Sequence, residues 1–70
     1  MSLMNAEVGK AYNILNVETN DAELDSFLFS LGCYSGEPIT VISRRRNNMT
    51  VAIKDARYNI DRQLAQAIRI

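Results

Sequence analysis

One stretch, residues 27–43, FLFSLGCYSGEPITVIS, constrains the fold more than any other. Leu24, Phe27, Leu28 and Leu31 fall at i, i+3, i+4 and i+7, which puts them on one face of a two-to-three-turn helix over a core. The pattern stops at Gly32, suited to the position just past a helix end, where a left-handed backbone carries no Cβ penalty. Gly36 marks a second turn, and Pro38 removes an N–H at the beginning of a strand that starts near Ile39, where that loss is tolerated. Helix, stop, turn and strand must therefore be folded together within seventeen residues.

The flanks supply the rest of a mainly β domain. Val8 to Val17 is rich in strand formers and reads as a first strand. Asn20 suits a helix N-cap, Glu23 three residues on completes a capping box, and Asp21, Glu23 and Asp25 favour the positive helix end. Capping accounts for those carboxylates; residues two apart on a helix diverge, which argues against a shared divalent cation. Beyond Ile39 the pattern predicts a strand to Arg46, a tight turn at Asn47 and Asn48, which tolerate positive φ, and a strand from Met49 to Lys54. A turn at Asp55 and Ala56 leads to a strand over Tyr58 to Ile60. Asp61 then caps one helical turn through Gln66, and Ala67 to Ile70 closes the chain as a last strand. About five short strands, one helix and a C-terminal helical turn predict a small barrel. It forms a single domain over residues 4–70, with Met1 to Leu3 read as an expression remnant outside the fold.

Composition excludes several kinds of chemistry. The chain has no histidine and one cysteine, Cys33, so it has no internal disulfide and no imidazole base to activate a nucleophile, and neither a zinc or iron cage nor another cofactor is expected. The expectation is a non-enzyme. No apolar run approaches the roughly 18 residues of a membrane span, so insertion into a bilayer is not expected. The N-terminus lacks the pattern of a secretory signal, which predicts a cytoplasmic location. Charge is split: residues 1–40 carry Lys10 against six acids, residues 41–70 seven bases against two acids. In so small a domain the two halves can meet and be solvated together.

Four side chains stand out as candidate partner contacts. Phe29 sits about 140° from Leu24 around the helix, off the apolar stripe, so that it is either covered by the 33–38 loop or exposed beside Tyr34. Arg44 and Arg46 would share one strand face with Arg45 opposite. Three arginines so divided make no flat patch, and few aromatics lie nearby for base stacking, so nucleic acid is not an expected partner. Cys33, beyond the negative end of a helix, is expected to be an unreactive filler with a raised pKa.

Two stretches together resemble the FeoA family, ferrous iron transport protein A. LFSLGCYSGEPITVI is similar to the family's helix, Leu-Gly, turn, Gly and strand, with Leu28, Leu31, Gly32, Gly36, Ile39 and Val41 on its positions. VAIKDARYNIDRQLAQAIRI resembles its C-terminal half through Arg57, Ile60, Leu64, Ala65 and Ile68. Ser35 stands where the family often has Pro, Asp55 where it often has Gly, and the RRRNN loop is shorter than is common there. The resemblance implies an SH3-like barrel acting by protein contacts beside a membrane Fe²⁺ permease that has a cytosolic GTP-binding domain. The same module is similar to the C-terminal domain of metal-dependent repressors, which implies an alternative role as an interaction domain of that kind.

Overall fold

A computed structural model describes residues 1–70, the whole chain. A 3-10 turn, Leu3–Asn5, precedes strands β1 (Ala11–Asn13) and β2 (Asn16–Val17) and helix α1 (Ala22–Ser30). Strands β3 (Pro38–Arg44), β4 (Asn48–Ile53) and β5 (Ala56–Asp61) follow, then helix α2 (Arg62–Ala67) and strand β6 (Ile68–Arg69). The strands form an antiparallel four-stranded sheet in the order β1-β3-β4-β5 and a two-stranded sheet of β2 and β6. Six short strands thus stand where about five are expected, in the mainly β small barrel that the sequence predicts.

Alternation along the strands defines the core. Met49, Val51 and Ile53 of β4 and Ile39 and Val41 of β3 all point inward and are at most 2% exposed. A bulge between Val41 and Ser43 shifts the register and ends the inward series of β3. Leu28, Cys33, Ile60, Leu64, Ala65 and Ile68 complete the interior from the other elements. Burying each of the large aliphatic chains is worth roughly 1.5–3 kcal/mol, which is what a domain this small has to offset chain entropy.

The expected first strand is two strands with a corner between them. Ile14 is buried; its N–H donates to the Glu37 carbonyl at 2.9 Å and its carbonyl accepts from the Gly36 N–H at 2.8 Å. Leu15 then turns away, donating to the Arg69 carbonyl at 2.8 Å, and carries the chain into the second sheet. A continuous strand over Val8 to Val17 cannot serve two sheets, so the chain divides at the buried isoleucine.

Helix α1 also begins differently. Asp21, not Asn20, is the N-cap, its Oδ1 accepting from the N–H groups of Glu23 at 2.9 Å and Leu24 at 3.3 Å. Asn20 instead takes φ 62°, a left-handed conformation that asparagine tolerates, and turns the chain into the helix. Asp25 is engaged by the Thr19 hydroxyl at 2.5 Å, so the three carboxylates do not converge. Of the apolar stripe only Leu28 is fully buried; Leu24 and Leu31 are half-buried and Phe27 is 49% exposed. The helix rests on the barrel by one edge, which leaves Phe27 outside.

The central hairpins correct two further expectations. Strand β3 ends at Arg44, and the Arg45 N–H donates to the Asn48 carbonyl at 2.8 Å to close a loop with no left-handed residue. Arg46 lies in that loop, so Arg44 and Arg46 do not share a strand face. Positive φ falls instead at Lys54, 55°, in the two-residue Lys54-Asp55 connection between β4 and β5, because a two-residue hairpin needs a mirror-image turn to match strand twist. Asp61 caps α2 as expected, accepting from the Leu64 N–H at 2.8 Å.

The N-terminal residues set aside from the fold are part of it. Leu3 is 0% exposed, the Ile70 N–H donates to the Met1 carbonyl at 2.8 Å, and Ser2 pairs with Arg69. The apolar side of α2 needs cover, and the 3-10 turn provides it.

Gly32 is the position where the fold demands glycine. It is buried at φ 93°, and a Cβ there would lie 2.9 Å from Lys54 Cε and 3.3 Å from Ile53 Cγ2. Gly32→Val should lower stability by more than about 1 kcal/mol in a urea titration, since β-branching, left-handed strain and crowding act together. Gly36→Ala meets open space at φ 90° and should cost less.

Candidate functional site

The end of α1 arranges a surface as well as a stop. Gly32 donates to the Phe29 carbonyl and Cys33 to the Leu28 carbonyl, both at 3.0 Å, the paired bonds of a Schellman cap. That cap reverses the chain so that Cys33, 2% exposed, enters the core while Tyr34 emerges beside the helix. The rings of Phe29 and Tyr34 lie 5.0 Å apart, tilted by 38°. Of the two alternatives for Phe29 the structure shows exposure: the side chain is 65% accessible, and the loop meets its edge without covering it. Val17, Asp25, Phe29, Cys33, Tyr34 and Ser35 line a shallow groove of about 290 Å³ there.

Lys54 ties this surface to the sheet. Its stem lies over Gly32, and its ammonium bonds Glu37 Oε1 at 2.5 Å and sits 5.3 Å from the Tyr34 ring centroid. The hydrogen bond to Lys54 holds the Glu37 carboxyl below its ordinary range, and the same bond raises the Lys54 ammonium. The turn between them closes where the Glu37 N–H donates to the Tyr34 carbonyl at 3.1 Å. The φ of 93° at Gly32, more than the space under the flexible lysine stem, is what requires glycine at this turn.

Sequence reasoning singled out Phe29 and Tyr34, and the structure brings them together. Arg44 and Arg46 are not part of that groove. Arg44 instead donates to the Ala6 carbonyl at 2.5 Å, holding the N-terminal segment to β3. The motif residues Leu28, Leu31, Gly32, Gly36, Ile39 and Val41 serve the fold, through the core or the two left-handed turns. Lys54 and Glu37 were missed, because seventeen positions separate them and no local pattern pairs them. They form the single ion pair of the molecule, so the acidic and basic halves meet at this one point and are otherwise solvated apart.

Cys33 is an interior side chain. Burial, rather than the helix end, pushes its thiol up to about 11. Nowhere do three or more Cys, Asp or Glu side chains gather as a metal site would require.

The fold and this surface define a small SH3-like β-barrel with an exposed phenylalanine beside a half-buried tyrosine at a helix end. The chain belongs to the FeoA domain family, whose model matches residues 1–70. Among the solved structures that share the fold are the following two. A manganese-dependent transcriptional repressor superposes with a TM-score of 0.87 at 23% identity over 97% of this chain, which spans 39% of the repressor's length. A crystal structure of iron uptake regulatory protein (FeoA) superposes with a TM-score of 0.86 at 19% identity, covering 97% of this chain and 91% of that one. No curated protein sequence matches. No helix is long and apolar enough to cross a membrane.

Two solution measurements follow from the site. An unfolded thiol ionises near 9 and the folded one near 11, so below pH 9 both states are protonated and the stabilisation is intact. Between those values only the unfolded state releases its proton, and stability must fall as pH rises. Denaturation midpoints should drop over that window by more in the parent than in Cys33→Ala. In the second, excess EDTA should leave the melting temperature unchanged, whereas a structural metal would make it fall by several degrees.

Proposed function

We propose that this chain is a non-catalytic accessory domain of ferrous iron transport that works at the cytoplasmic side. It docks on a membrane Fe²⁺ permease bearing a GTP-binding domain and modulates it through protein contacts. The observation that carries this reading is the FeoA family match over the whole chain. The Phe29–Tyr34 surface supports a docking role: a few aromatic side chains typically dominate binding energy, and Phe29, 65% exposed with its ring 5.0 Å from that of Tyr34, offers an apolar contact to a partner. The cap at Gly32 and the Lys54–Glu37 pair hold the two rings in place before any partner arrives, which reduces the entropy lost on binding.

A second reading, an interaction domain of the kind found in metal-dependent repressors, is favoured by the superposition on the manganese-dependent repressor. Binding separates the two. Phe29→Ala and Tyr34→Ala should each weaken capture of the permease's isolated GTP-binding domain by tenfold or more, as is typical of interface anchors (about 1.4 kcal/mol or above). Phe29→Ala should change the melting temperature little. Unchanged capture by both variants would reject this surface, and no capture by the parent would favour the repressor-like reading. A large stability loss in Phe29→Ala would return the ring to the core, where truncation costs about 3–5 kcal/mol.

A further inference from the structure

Strand β5 leaves one side of the main sheet open. The Arg62 N–H donates to the Asn47 carbonyl at 3.0 Å, spanning the Asn48–Asp61 pair, and such a bond brackets a pair that exchanges no hydrogen bonds of its own. Alternation from there turns the main-chain N–H and C=O groups of Arg57 and Asn59, and the N–H of Asp61, away from β4. No strand pairs with β5 on that side, and none of these groups has a hydrogen-bond partner elsewhere in the chain. All three residues are exposed, while Ile60 and, in part, Tyr58 face the core. An open strand edge is a template for another strand.

We propose that this edge pairs with the same edge of a second copy of the chain, antiparallel about a two-fold axis through Asn59. In that register Asn59 of one copy faces Asn59 of the other, and the two exchange both main-chain bonds. Arg57 faces Asp61 twice, once on each side of the axis, so the strand is charge-complementary to its own reverse. Asp61 uses Oδ1 to cap α2, which leaves Oδ2 for the arginine. Asp55 and Arg62 at the ends keep the strip balanced, two acids against two bases, so the copies approach without net repulsion. A shift by one residue would turn the paired hydrogen-bonding groups out of register and remove both ion pairs. The contact is one short strand wide, below the roughly 1,000 Å² of a stable interface, so pairing is weak and depends on concentration. β5 contributes nothing to the Phe29–Tyr34 groove, and a paired chain would display that groove twice.

Sedimentation equilibrium of the full chain from about 10 µM to about 1 mM tests this, at low salt and again near 0.5 M NaCl. The mass should rise from 7.9 kDa toward twice that value, and high salt should weaken the association by screening the exposed ion pairs. Arg57→Asp sets like charges opposite each other twice and should weaken pairing at least tenfold. Asn59→Pro removes the central edge donor and should abolish pairing. Melting curves identify which variants are folded; Arg57→Asp alters only an exposed side chain and serves alone if the proline variant unfolds. A mass that stays at 7.9 kDa to 1 mM, or a dimer that either folded variant leaves intact, overturns the proposal.

Discussion

The chain's reversal at Gly32, under the stem of Lys54, is the constraint on which the rest depends. A short helix has no sheet partner and must be fixed by its ends. Asp21 satisfies one end and the Schellman bonds the other. Because glycine takes φ 93° at this turn without strain, Leu28 and Cys33 enter the core from the two sides of the turn while Phe29 and Tyr34 are left at the surface. The interior position of the thiol and the exterior position of the rings are one backbone event.

Lys54 repeats the theme from the sheet side. Its left-handed backbone closes the β4–β5 hairpin, and its side chain crosses to Glu37. The pair is surface-exposed and contributes little to stability by itself. Its effect is positional: it sets the loop carrying Tyr34 against the hairpin, so the aromatic surface is held by the barrel rather than by the loop alone.

The parts of the fold that were legible in the sequence are those decided locally. Gly32 as helix stop, Asp61 as cap and the inward alternation of Met49, Val51 and Ile53 follow from propensities acting within a few residues. The parts that were not legible depend on distant contacts. The corner at Ile14 exists because Gly36 and Glu37 approach from another strand, and burial of Leu3 depends on α2, which lies at the opposite end of the chain. Asn20 and Asp21 are both good caps, and only the direction of approach from β2 assigned Asp21 the role. Phe27 kept helical spacing with Leu28 yet stayed outside, because periodicity reports which residues share a face and not how much of that face is covered. For the site, the helical wheel separated Phe29 from the apolar stripe, but its pairing with Tyr34 required the turn geometry, and Glu37–Lys54 required the whole fold.

The central claim is that a partner meets the surface at the end of α1. Titrating isotope-labelled protein with the soluble GTP-binding domain of an Fe²⁺ permease and following backbone amide shifts tests it most directly. The account predicts that the largest changes fall on residues 29–37 and on Lys54. Changes confined to the 44–48 hairpin, or to the outer edge of β5, would contradict it.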